Sequence, residues 1–155
     1  MDPLTGEANP PVRRVKAYSA TGLTVTFEAG RCLHAAECVR GLPGVFDSSA
    51  RPWIRPDRAD PALVADVVSR CPSGALRYTL SDGSPEPADT PVTLTRSSVG
   101  ELYVRGDVVV GHNGTVQTET RAILCACGSS ENQPYCDRSG ACSQEPVRDP
   151  SGLPG

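Results

Sequence analysis

Four cysteines fall within the eighteen residues from Cys125 to Cys142, in a stretch with almost nothing apolar to bury. Gly128, Pro134 and Gly140 punctuate it and keep the backbone in turns. A loop of this kind loses conformational entropy on ordering and gains little from burial. Something inside must hold it, and thiolates on a metal centre fit that role. Structural zinc sites usually present cysteine pairs roughly two to four residues apart. The tighter Cys125-Ala126-Cys127 pair points away from a zinc knuckle.

A second set lies upstream. Cys32, Cys38 and Cys71-Pro72 form C-x5-C and a remote C-P. Bacterial ferredoxin loops use C-x2-C-x2-C completed by a distant C-P. Here the outer pair and the C-P are kept, and Ala35 takes the middle place. Three cysteines leave two outcomes. The cluster lacks one iron, giving 3Fe-4S, or a nearby side chain binds the fourth, giving 4Fe-4S. His34 is the candidate, because it lies one residue from the vacant place and imidazole is a good iron ligand. The alternative is a histidine that packs beside the loop and donates a hydrogen bond to a sulfur.

Composition limits what else the chain can be. Only 5% of its 155 residues are aromatic and 38% hydrophobic, with 15 Gly and 15 Pro. That is a poor supply for one large core, so two small cofactor-stapled modules are expected. Residues 1–80 carry 10 basic and 8 acidic side chains, and residues 81–155 carry 5 and 10, so the halves are +2 and −5. No basic stripe points to nucleic acid. The acidic half can help steer a basic protein partner. Residues 1–11 are polar and proline-rich without an apolar run, so no secretory signal is expected. No run approaches the ~20 apolar residues of a membrane span. Seven cysteines, an odd number, then argue for a reducing cytoplasm and metal binding over disulfides.

The order of elements predicts an α+β chain. Residues 1–12 read as a disordered tail. Val15 to Tyr18 and Leu23 to Phe27 predict a hairpin around Thr21-Gly22. Asp60 caps a helix with Pro61 in its first position; Leu63, Val64, Val67 and Val68 give it one apolar face, and Pro72 stops it. Residues 75–80 return as a strand. Residues 81–91 read as a linker. Val92 to Thr95, Leu102 to Arg105, Val108 to Val110 and Thr115 to Leu124 are strand-like, with Asn113-Gly114 as a tight turn. They deliver the chain to Cys125. Residues 13–80 and 92–143 are thus two cysteine-bearing units, and residues 144–155 a disordered tail.

Two resemblances rest on these residues. Cys32-Leu33-His34 with Cys38, Val45-Phe46-Asp47, Pro52-Trp53-Ile54 and Cys71-Pro72-Ser73-Gly74-Ala75-Leu76 resemble the divergent single-cluster 4Fe-4S family, and also the three-cysteine ferredoxins that serve bacterial oxygenases. C-x-C-x2-S-x3-P-x-C-D, seen as Cys125, Cys127, Ser130, Pro134, Cys136 and Asp137, resembles the CDGSH iron–sulfur family. The resemblances imply a small ferredoxin-like domain followed by a β-rich CDGSH-type iron–sulfur domain. CDGSH members hold a 2Fe-2S cluster with three cysteines and one histidine. Carried over, Cys125 and Cys127 bind one iron and Cys136 the other. Two positions depart: Arg138 replaces a glycine, and Gly140 replaces the ligand histidine. Glycine offers no donor, so the last ligand comes from Cys142, from another group or from solvent; otherwise the site holds nothing. The resemblance also allows a homodimer with paired strands.

Three functions follow as expectations. The first is a two-cluster, one-electron carrier for a redox partner protein, a reductase or oxygenase. The second is a redox sensor or a cluster-transfer protein, motivated by the altered Gly140 position. The third is a zinc-stapled interaction module. No catalytic residue is expected: Ser130 has no histidine or acid spaced to activate it, and no phosphate loop is present. The chain therefore reads as a cytoplasmic carrier and not an enzyme.

Overall fold

The computed structural model describes residues 14–98 and 100–140. The tails at 1–12 and 144–155, and Cys142, lie outside the described residues. The architecture is α+β, with two three-stranded antiparallel sheets and few helices.

The first sheet begins as the expected hairpin. Strand β1 (Val15–Ala20) pairs antiparallel with β2 (Leu23–Glu28) across Thr21-Gly22. Strand β3 (Leu76–Leu80) pairs with the other edge of β2, in register Phe27 to Leu76 and Leu23 to Leu80. Between them run the short helix α1 (Glu37–Gly41) and the longer α2 (Pro61–Val68). Asp60 caps α2 as its sequence requires: its carboxylate accepts from the Ala62 amide at 2.9 Å, and Pro61 costs nothing at N1. The helix ends at Val68, ahead of Pro72. Its buried face is Val64, Val67 and Val68, whereas Leu63 is 54% exposed. The expected four-residue apolar face is narrower by one because this two-turn helix meets the sheet along one stripe.

These valines join Leu23, Val25, Val45, Phe46, Ile54 and Leu76 in one core. Trp53 packs at its edge, edge-on to Phe27 at 4.9 Å between ring centroids. It is a packing anchor, as its place beside Pro52 and Ile54 suggests.

The second sheet runs in order β4 (Thr93–Arg96), β5 (Leu102–His112) and β6 (Thr115–Leu124). The two segments Leu102 to Arg105 and Val108 to Val110 are one strand. Its register shifts between Arg105 and Val108, a bulge at Gly106-Asp107. Asn113 and Gly114 both adopt positive φ, 49° and 80°, as a two-residue hairpin turn requires.

Residues 81–91 join the sheets and are held at several points, among them Ser84, whose carbonyl accepts from the Leu80 amide, and Asp89, which pairs with Arg105. Thr79 bridges to Pro85, and Glu86 is buried. The sheets meet across buried charge. Arg31, 1% exposed, donates from Nη1 to both Glu119 oxygens at 3.1 and 3.0 Å, and from Nη2 to the Ser73 and Arg121 carbonyls. Arg121 donates to the carbonyls of Val68, Cys71 and Leu76 and pairs with Glu86 at 2.6 Å. Arg77 also pairs with Glu119. Each buried carboxylate therefore faces a guanidinium, which is how buried charge is tolerated.

Candidate metal centres

Cys32, Cys38 and Cys71 line one recess. Cys32 follows a single 3-10 turn (Ala29–Arg31) at the end of β2, Cys38 lies in α1, and Cys71 follows α2. Three separate elements thus converge because the core beneath them packs α2 against β2 and β3. The loop from Cys32 to Cys38 carries left-handed backbone at His34 (φ 57°) and Ala36 (φ 64°), with Ala35 between them. Alternation of this kind turns successive amides to one side, the concave arrangement found around phosphates and iron–sulfur centres.

Burial pushes the Cys38 thiol up; the Val39 amide pulls it back in part, and the charges of Cys71 and Cys32 push it up again. Three thiols gathered in one recess are a ligand set for a cation or a cluster. Among the described residues no three His, Cys, Asp or Glu side chains stand at single-ion spacing. Thiolates that bind different irons of one cluster stand further apart than ligands of one ion. His34 lines the same recess from an exposed position on its rim. The recess is walled by Phe27, Trp53 and Leu76 from the first sheet's unit, and by Tyr103, Ile123 and Arg138 from the second.

The second set is built on the end of β6. The chain leaves β6, turns through residues 126–133 and returns antiparallel. The Cys125 amide donates to the Pro134 carbonyl at 2.8 Å, and the Cys136 amide to the Ile123 carbonyl at 2.9 Å. Ser130 and Asp137 hold this return. Ser130 Oγ donates to the Tyr135 carbonyl and accepts from the Asn132 amide. Asp137 accepts from the Glu131 and Ser139 amides and the Ser139 hydroxyl, which, foremost the hydroxyl, hold its carboxyl below the usual carboxylate range. Both side chains shape the loop through these hydrogen bonds.

Cys125 Sγ and Cys127 Sγ lie 4.0 Å apart. Two sulfurs on one tetrahedral metal with bonds of ~2.3 Å stand ~3.8 Å apart. The pair therefore fits a single metal atom with almost no movement. Gln133 Nε2 donates to Cys125 Sγ at 3.1 Å. Cys136 is 2% exposed and packs with Ile123, Leu33 and Tyr103, while Cys127 is exposed. Gly140 sits tight against the loop, where an added Cβ would lie 2.6 Å from both Cys127 Sγ and Ser129 Cβ. A side chain of any kind at 140 would displace Cys127, so the missing histidine is a packing feature of this loop as well as a lost ligand.

Arg138 adopts a left-handed φ of 59°, the conformation that suits the glycine of the CDGSH pattern. Its guanidinium leaves the loop, donates from Nε to Glu101 at 3.2 Å and from Nη1 to the Leu33 carbonyl at 3.4 Å, and ends in the wall of the first recess. Arg31, Arg121, Glu119 and Glu101 escape sequence reasoning about the sites, and Arg138 enters it only as a departure from the CDGSH pattern. One signal could have found two of them: on β6, Glu119 and Arg121 alternate in step with Ile123, all three buried, and so occupy the inward positions of a strand.

This chain is an iron–sulfur domain protein, and comparison with known proteins says of which kind. Residues 18–81 match the family model described as divergent 4Fe-4S mono-cluster, and residues 100–139 match that described as iron-binding zinc finger CDGSH type. The chain is 41% identical over 63 residues to the uncharacterized protein YjdI of Escherichia coli (strain K12), an alignment covering 41% of this chain and 83% of that protein. The YjdI of Escherichia coli O157:H7 aligns equally well, 41% identical over 63 residues. The chain belongs to the divergent 4Fe-4S mono-cluster family, with a CDGSH iron-binding domain following it. No solved structure matches it.

Proposed function

We propose that the chain is a two-centre, one-electron carrier for a partner redox enzyme. Cys32, Cys38 and Cys71 hold a 4Fe-4S cluster with His34 as fourth ligand, or a 3Fe-4S cluster without it. Cys125, Cys127 and Cys136 hold a 2Fe-2S cluster, with Cys142 as the fourth ligand. The observation that carries this reading is the convergence of three thiols from three elements on one walled recess, beside a second thiol pair 4.0 Å apart. The first unit is read as ferredoxin-like on the same grounds.

When bound, such centres supply one-electron exchange. The residues around them supply the rest. Phe27, Trp53 and Leu76 exclude water from the first recess. Gln133 donates to Cys125 and lowers the electron density on that sulfur. Arg31 and Arg121 grip the backbone at Ser73 and Cys71, so the first thiol set is held on β6, the strand that ends at Cys125. Among the described residues no side chain is arranged to move a proton or activate a nucleophile, and the role proposed is that of a carrier.

A redox partner, reductase or oxygenase, fits this role. Exposed Leu94, Val109 and Val116 on the second sheet support contact with it or with a second copy of the chain. Among the described residues no helix is long and apolar enough to cross a membrane; the reading places the carrier in the cytoplasm. One observation favours a second reading. The second thiol pair is at the surface, with Cys127 exposed, as a cluster that is sensed, lost or handed on would require.

Iron and sulfide quantitation with EPR on anaerobically prepared protein tests the proposal. About five or six irons per chain are expected, from a three- or four-iron and a two-iron centre. Two irons or fewer after reconstitution would sink it. Cys142→Ser should bleach or blue-shift the second site's absorption; an unchanged spectrum removes Cys142 from the ligand set. Reversible voltammetry without iron loss separates the carrier from the transfer protein.

A further inference from the structure

Glu101 and Arg138 form an ion pair lying between the two cysteine sites. Glu101 is 4% exposed, its amide is held by Ser97 Oγ at 3.0 Å, and its Oε1 accepts from the Tyr103 hydroxyl at 3.4 Å. Its Oε2 lies 3.7 Å from Cys136 Sγ and accepts from Arg138 Nε at 3.2 Å. The guanidinium also donates to the carbonyl of Leu33 next to Cys32, and forms part of the wall around Cys32, Cys38 and Cys71. The pair is therefore an oriented dipole. Its negative end touches the second site and its positive end touches the first.

We infer that the Glu101–Arg138 pair biases the two sites in opposite directions, raising the reduction potential at Cys32, Cys38 and Cys71 and lowering it at Cys136, and so shifts a single added electron toward the first site. The inference rests on the proposed cluster binding. A positive charge beside a centre favours its reduced, more negative form, and a carboxylate beside a thiolate disfavours it. Glu101 is buried and weakly screened; Arg138 has 42% of its side chain exposed, so its effect is attenuated by salt. The pair also explains why an arginine holds a left-handed position that suits glycine: the backbone conformation is maintained by the contacts its side chain makes across the sheet interface.

The test is EPR-monitored potentiometric titration with dithionite, at low salt, on the full reconstituted chain. Arg138→Gln should lower the first site's midpoint by about a tenfold shift in its one-electron equilibrium, about 59 mV, with iron content unchanged. Arg138→Lys should restore most of that shift. Glu101→Gln should raise the second site's midpoint. Potentials that stay put in Arg138→Gln and Glu101→Gln overturn the inference, as do midpoints that move in the same sense in both, the mark of general loosening. Should Arg138→Gln lose iron, an unchanged second-site midpoint in Glu101→Gln overturns it alone. If the parent chain takes up no iron at the first site, the cluster reading itself fails and this inference with it.

Discussion

Arg31 and Glu119, 88 residues apart in sequence, meet as a buried two-pronged ion pair at 3.0 and 3.1 Å. Arg31 directly precedes Cys32, and the ring of Tyr135, which directly precedes Cys136, stacks under its guanidinium at 4.0 Å. One side chain thus reaches the neighbours of ligand candidates in both sets. Removing one partner of a buried pair costs about 3 to 5 kcal/mol, because the other charge is left behind. Arg77 and the Tyr135 hydroxyl still serve Glu119, so the low end applies. Arg31→Met should destabilise by about 3 kcal/mol, lowering Tm by about 6 to 12 °C in a chain of this size. A loss under about 2 °C would show that the pair does not join the halves.

Gly74 illustrates a motif explained only in three dimensions. Its φ is +73°, and a Cβ there would fall on the Arg121 carbonyl oxygen and lie 2.7 Å from Arg31 Nη2. Gly74→Ala therefore combines a strained backbone with a collision against main chain that cannot move aside. The expected cost is at least about 2 kcal/mol. The first site's EPR signal should weaken with it, because Ser73 and Cys71 are held by the same two arginines. Wild-type thermal stability in this variant would contradict the packing described.

At Gly140 the backbone is unstrained and the obstacle is space. Gly140→Ala should displace Cys127 and reduce iron retention at the second site, measured as loss of visible absorption per chain. Gly140→His restores the histidine of the CDGSH pattern and offers a fourth donor to a site lacking Cys142. The crowding at Cys127 sets the opposite expectation for an unshifted loop: a poorer site than with glycine. Higher retention in Gly140→His than in the parent would show that the loop re-forms.

The first thiol set should act as a unit. Cys32→Ser, Cys38→Ser or Cys71→Ser each should abolish the first EPR signal and leave the second site's spectrum intact. His34→Ala separates ligand from neighbour: a four-iron signal that becomes a three-iron one assigns His34 to the fourth iron, and coincident spectra leave it on the rim.

Local chemistry is what the sequence determined by itself. Asp60-Pro61 starts a helix, Asn113-Gly114 turns a hairpin, and Thr21-Gly22 turns another, because each depends on side-chain and φ preferences within a few residues. The Cys125–Cys127 pair was legible for the same reason, since spacing within a loop limits which sulfurs can share a metal, whereas the fold brings Cys71 to Cys32 and Cys38. Tertiary structure alone decided which charges are buried. Arg31 and Glu86 look in sequence like any solvated ions, Glu119 and Arg121 share only a strand alternation with Ile123, and the four become a buried interface because the two sheets meet over them. The same holds for Leu63, which has helical apolar spacing but no opposing surface, and for Arg138, whose partners lie 37 and 105 residues away. Burial is a property of what arrives from elsewhere in the chain, and no local pattern contains it.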